Sequence, residues 1–153
     1  MKLGDHLPEV LGKDQDGNTV TTAQFAGKPF ILYFYPKDNT PGCTAEACSL
    51  RDAASELAAM GYSVVGVSSD SEASHRRFID KHSLPFTLIS DPDHTLQQAM
   101  GVWGEKNMAG RKYMGTLRTT FLIGPDGTVA HIFTPKEIKT KIHAQQILDY
   151  LNK

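Results

Sequence analysis

At 153 residues with 40% hydrophobic side chains, the chain is long enough to build one core and short for two, so residues 1–153 read as a single domain. Sixteen basic and seventeen acidic residues leave a formal charge of -1, which argues against nucleic acid or an anionic membrane surface as the main partner. No segment reaches the roughly 18 apolar residues of a membrane span. Met1-Lys2-Leu3-Gly4-Asp5 lacks the apolar core of a signal peptide, so the cytoplasm is the expected location, and the two cysteines are too few for a secreted disulfide scaffold.

In chain order, Val10-Leu11 and Val20-Thr21 flank the turn signal Asp16-Gly17-Asn18 and predict an N-terminal hairpin. Phe30-Ile31-Leu32-Tyr33-Phe34-Tyr35 is apolar on both faces and stops at Pro36, the pattern of a central strand entering a loop. A helix is predicted from about Pro41 to Met60, with Ala47, Leu50, Ala54, Leu57 and Ala58 inward and Gly61 at the position after its end. A strand over 62–68 follows, then a polar helix to about His82 with Ser69 and Glu72 as its capping box, then a short strand over 86–89. Asp91-Pro92 starts a short helix ending at Gly101. Residues 102–117 show no clean periodicity and read as a long, functional loop. A hairpin over 119–133 turns at Gly124-Pro125-Asp126-Gly127, and a last helix runs from about Thr140 to Asn152. This order describes an α/β domain with a mixed central sheet flanked by helices, compatible with a thioredoxin-like fold.

The chemistry concentrates at Pro36-Lys37-Asp38-Asn39-Thr40-Pro41-Gly42-Cys43. Thr40 reads as the cap and Pro41 as the first helical residue, which puts Cys43 at the third helical position, where a capping box would hold Glu or Gln. A free thiol near ~8.5 is only slightly ionised at neutral pH. A helix N-terminus contributes ~0.3–1 kcal/mol, against ~1.4 kcal/mol per pKa unit, so a reactive thiolate here needs a cation as well.

These residues resemble a known family. Pro36, Thr40 and Cys43 match the Pro-x-x-x-Thr-x-x-Cys motif of peroxiredoxins, and Cys48 lies where the bacterioferritin comigratory protein, or peroxiredoxin Q, branch keeps a resolving cysteine. The likeness extends to Glu46, to Val102-Trp103-Gly104-Glu105-Lys106, and to Gly110-Arg111-Lys112-Tyr113-Met114-Gly115 leading into Arg118-Thr119-Thr120-Phe121. It implies an atypical two-cysteine thiol peroxidase for hydrogen peroxide and organic hydroperoxides. No metal, haem or flavin is implied; the recycling partner is thioredoxin or a glutaredoxin-like dithiol, and the expected state is a monomer.

In that resemblance Cys43 is the nucleophile and Cys48 resolves its sulfenic acid as an intramolecular disulfide. Arg118 is the cation beside the sulfur, Thr40 offers its hydroxyl to a peroxide oxygen, and Pro36 shields the sulfur from water. Glu46 either holds the arginine or faces solvent. Cys48 can also be read as an inert core residue. Trp103 is read as packing under the long loop, with docking of the reductase as the alternative, and Lys106, Arg111 and Lys112 as a solvated face, with a local basic patch as the alternative. The six histidines sit at no metal-ligand spacing with a cysteine, which argues against zinc.

Two rivals remain at this level. A thioredoxin-type disulfide reductase uses Cys-x-x-Cys, whereas four residues separate Cys43 and Cys48; a non-catalytic binding module on the same fold would leave Cys43 unreactive. Five helical residues rise ~7.5 Å and turn the two cysteines to different faces, about 8.6 Å apart at Cα. A disulfide spans at most ~7 Å between Cα atoms, so the segment from about Thr40 to Arg51 must open before the two sulfurs can join.

Overall fold

Burial of the first strong apolar run organises the molecule. β3 (Phe30–Phe34) is buried at all five positions. With each such side chain contributing roughly 1.5–3 kcal/mol when removed from water, this strand belongs at the centre of a sheet. The computed structural model describes residues 1–153 and places it there. β3 pairs in parallel with β4 (Ser63–Ser68) and antiparallel with β8 (Thr119–Ile123). Outside these lie β5 (Thr87–Ser90), β9 (Val129–Phe133), β1 (Val10–Lys13) and β2 (Thr19–Thr21), giving a seven-stranded mixed sheet in the order β2-β1-β5-β4-β3-β8-β9. β6 (Trp103–Met108) and β7 (Arg111–Thr116) form a separate two-stranded ribbon.

Alternate residues of β3 serve opposite faces of the sheet, as the period of two demands. Ile31, Tyr33 and Tyr35 join one buried cluster with α1 (Pro41–Asp52), α2 (Ala54–Ala59), α3 (Glu72–His82) and α5 (His143–Leu151). Phe30, Leu32 and Phe34 join the other, with Leu96 of α4 (Thr95–Ala99), Val102 and the N-terminal hairpin. The Tyr33 ring fits because its partner in β4 is a glycine: a Cβ on Gly66 would lie 2.8 Å from the ring. The thioredoxin-like arrangement read from the element order therefore holds, hairpin included.

Five expectations are corrected. Residues 102–117 are the β6–β7 ribbon, turning at Ala109-Gly110, both with positive φ (53° and 82°), as a two-residue hairpin turn requires. The helix expected over 41–60 is two, broken at Ala53, with Gly61 closing the second at φ 89°. Ser71, not Ser69, caps α3 by accepting the Ser74 amide at 3.1 Å. Asp91 starts no helix itself; its carboxylate receives the Leu96 and Gln97 amides of α4 at 3.1 and 2.9 Å. The last helix begins as a 3-10 turn over Thr140–Ile142 before α5.

Candidate active site

Cys43 lies just beyond the carboxyl end of the central strand, where open α/β sheets place their chemistry. Pro41 is the first residue of α1 and Thr40 its cap position. The first intrahelical hydrogen bond runs from the Thr44 amide to Thr40 O, 2.8 Å, so the Gly42 and Cys43 amides have no acceptor within the helix. Thr40 departs from expectation in one respect: its hydroxyl donates to Lys37 O at 2.9 Å instead of capping the helix. Pro36 sits half-buried in the same loop.

Arg118, expected beside the sulfur, is there. One guanidinium nitrogen approaches Cys43 Sγ at 3.4 Å and another donates to Glu46 Oε1 at 2.6 Å. Glu46 is fully buried, which removes its solvent-facing alternative. Burial raises its pKa to about 7, against the opposing pull of Arg118. Its second oxygen, Oε2, has no hydrogen-bond partner, nor does the buried hydroxyl of Tyr33. His143 Nε2 is 3.9 Å from Oε2 but lies 2.8 Å from the Thr120 hydroxyl, while Nδ1 meets Gln146 Oε1 at 3.0 Å. That pattern suits a neutral ring, and burial holds His143 below its ordinary pKa.

Cys43 is 1% exposed and belongs to the apolar cluster, more deeply set than its Thr-Pro-Gly neighbours implied. Cys48 is half-buried on the same helix, and both cysteines are free thiols. Of the loop residues, Trp103 stacks on His94 with centroids 3.6 Å apart. Arg111 and Lys112 are exposed, as read, but Lys106 is partly buried and donates to Thr116 O at 3.1 Å.

Sequence reading missed the network that pins the loop between β3 and α1. Asp38, 5% exposed, accepts from the Tyr35 hydroxyl (2.6 Å), the Ser74 hydroxyl (2.8 Å) and His75 Nδ1 (2.8 Å). Its own amide donates to Asp70 at 2.8 Å, and His75 Nε2 donates to Ile89 O at 3.0 Å. The available signal was His75 at helical spacing with Phe78 and Ile79 on the buried stripe of α3. Asp38, Asp70 and His75 approach one another closely enough to hold an ion, yet each is already engaged in hydrogen bonds within the protein.

This arrangement puts a sulfur at a helix N-terminus under a fixed guanidinium, on a loop held from behind. A model of the AhpC/TSA family matches residues 3–132. Peroxiredoxin Bcp of Escherichia coli is 44% identical over 151 residues, covering 99% of this chain and 96% of that protein. Among solved structures, the bacterioferritin comigratory protein of Xanthomonas campestris, studied for alkyl peroxide reduction, superposes with a TM-score of 0.88 at 35% identity, covering 99% of this chain and 98% of the other. A mutant of Xylella fastidiosa PrxQ gives 0.89 at 33% identity, covering 99% and 96%. The motif around Cys43, the matched span and this end-to-end likeness agree: the chain belongs to the AhpC/TSA family, as a peroxiredoxin of the Bcp, or peroxiredoxin Q, branch.

Proposed function

We propose that this peroxiredoxin reduces hydrogen peroxide and organic hydroperoxides through Cys43, with Cys48 as the resolving thiol and thioredoxin or a glutaredoxin-like dithiol as the reductant. The observation that carries the reading is the Arg118 guanidinium set 3.4 Å from Cys43 Sγ at the start of α1. A permanent cation and unpaired helix amides both favour sulfur as the thiolate, the form that attacks a peroxide oxygen. The same donors face the negative charge that develops on the departing oxygen. The proton of Thr40 is committed to Lys37 O. Its oxygen is therefore free to accept the peroxide O–H and orient it.

Sulfur attack gives a sulfenic acid on Cys43 and releases water or an alcohol. The Cys48 thiol then attacks that sulfur, forming the disulfide and expelling water. A dithiol protein cannot reach a sulfur that is 1% exposed. The opening of α1 that lets the two cysteines meet also delivers the disulfide to the reductant. The chain acts as one domain, a monomer, in the cytoplasm; an in-chain resolving cysteine needs no partner subunit, and no helix is long and apolar enough to cross a membrane.

Peroxide consumption coupled to thioredoxin and its reductase tests this, comparing wild type with each cysteine variant. Cys43→Ser is expected to lose at least about nine-tenths of the turnover, because a hydroxyl is un-ionised at neutral pH. Cys48→Ser is expected to react once, accumulate sulfenic and then sulfinic acid on Cys43, and stop turning over with thioredoxin. Cys43→Ser retaining more than about a tenth of the activity rules out Cys43 as nucleophile; Cys48→Ser turning over at the wild-type rate without a sulfenate rules out resolution by Cys48.

A further inference from the structure

We propose that Glu46 stores the proton that balances the reaction at Cys43: its carboxyl is protonated while Cys43 is a thiolate and ionises as the sulfur becomes a sulfenic acid. The inference rests on Cys43 being the peroxide-reacting thiol, and it goes beyond Glu46 as a mere support for the arginine.

The geometry is one guanidinium shared by two acids. Arg118 spends one nitrogen on Glu46 Oε1 at 2.6 Å and another on Cys43 Sγ at 3.4 Å. Arg118 is the one charge that acts on Glu46. From β3 comes the Tyr33 phenol, held neutral by burial. From α5 comes His143, held below its ordinary pKa by burial and with Nε2 turned to the Thr120 hydroxyl. Lys106 of β6 is a second cation, but its charge acts on Cys43 and Arg118 and not on Glu46, and its ammonium donates to Thr116 O at 3.1 Å. Glu46 thus faces only the guanidinium it shares with Cys43, while Lys106 adds to the charge that favours the thiolate, so of the two acids Glu46 keeps its proton.

Glu46 is the one built to keep it. It is fully buried, whereas a carboxylate oxygen in that position needs donors, and Oε2 has none. A protonated Oε2 removes the uncompensated charge. The shift of this carboxyl to about 7, driven first by burial, agrees.

The step then balances without a proton from bulk water. Cys43–S⁻, the hydroperoxide and Glu46–COOH become Cys43–SOH, an alcohol or water, and Glu46–COO⁻. The S–O bond forms and the O–O bond breaks, sulfur is oxidised by two electrons, and the departing oxygen gains the proton that Glu46 loses. Arg118 faces one anion before and after. When the dithiol reductant regenerates Cys43 as a thiol, the proton passes back to Glu46 and the thiolate is restored.

The test uses Cys48→Ser protein, which halts at the sulfenic acid, oxidised by hydrogen peroxide near neutral pH in weak buffer. Three readouts are taken: mass of the Cys43 peptide, net proton uptake by an indicator dye, and infrared difference spectra. The expected result is one added oxygen on Cys43, no net proton uptake, and loss of a carboxylic C=O band with gain of a carboxylate band. The additional change Glu46→Gln is expected to abolish both bands and to make oxidation take up a full proton. Oxidation of Cys43 with no change in carboxyl bands, or equal proton uptake with and without Glu46, overturns the proposal. Absence of oxygen on Cys43 overturns the underlying reading instead. Should Glu46→Gln fail to fold, the infrared spectra of the Cys48→Ser protein decide alone.

Discussion

Two buried carboxyls flank the end of the central strand and end up in opposite states. Asp38 collects a donor for each need: Tyr35, Ser74 and His75 all reach it within 2.8 Å. Burial alone raises its pKa, but these hydrogen bonds outweigh that and hold the carboxyl below its ordinary range. Both nitrogens of His75 face acceptors, the pattern of a charged ring paired with Asp38. Glu46 has one donor, Arg118, and an oxygen with no partner, and it is shifted up to about 7. A satisfied network fixes structure, and an under-supplied one holds a group near its titration point, where chemistry can use it. The loop carrying Pro36 and Thr40 is anchored by the first, and the sulfur is served by the second.

Removing the anchor has the largest expected effect on stability. Asp38→Ala leaves the Tyr35 hydroxyl, the Ser74 hydroxyl and a buried imidazolium without their acceptor, and the loss of one partner of such a pair costs about 3–5 kcal/mol. Urea unfolding measures it as a lowered midpoint with unchanged slope. A loss under ~1 kcal/mol would put the two networks on an equal footing.

Glu46→Gln probes the other network, and its effect depends on pH. The Glu46 carboxyl titrates near 4.5 in the unfolded chain and about 7 in the folded one. Between those values the folded state holds a proton that the unfolded state has released. Its contribution is therefore full below 4.5 and is lost as pH rises through 7. Relative to the glutamine variant, wild type is expected to lose on the order of 3 kcal/mol of stability across that window. A pH-independent difference would contradict the raised carboxyl. Ser74→Ala removes only one of the donors at Asp38 and is expected to cost about 1 kcal/mol by the same unfolding assay.

The contrast also explains what the sequence made legible. β3 announces itself by six consecutive apolar residues, and Thr40-Pro41 places Cys43 at the third position of its helix through local rules alone. Arg118 and Glu46 were found by resemblance, since their contact spans 72 positions. Asp38, His75 and His143 were missed for the same reason, because a buried polar partner leaves no periodic trace of its own. The β6–β7 ribbon hid because Trp103–Met108 and Arg111–Thr116 are mostly exposed and pair with each other rather than with a core. Ala109 at its turn is no turn signal either. Arg51-Asp52-Ala53-Ala54-Ser55 holds neither glycine nor proline, so the break between α1 and α2 left no signal.

The same asymmetry predicts where the fold yields during turnover. The start of α1 is held by Arg118 through Cys43 and Glu46, and oxidation ends the hold on the sulfur, leaving the guanidinium on Glu46. Its later half is tied to α5 by Ser49, which accepts the Ala144 amide at 3.0 Å, and to the end of α3 by Arg51, which donates to His82 O at 2.8 Å. Hydrogen exchange on reduced and peroxide-oxidised protein, with the Cys43–Cys48 disulfide confirmed by mass, tests the account most directly. Amides of residues 43–50 are expected to lose protection on oxidation while those of β3 keep theirs. Equal protection of residues 43–50 in both states would contradict it, because the intact helix holds the two cysteines about 8.6 Å apart at Cα, beyond the reach of a disulfide.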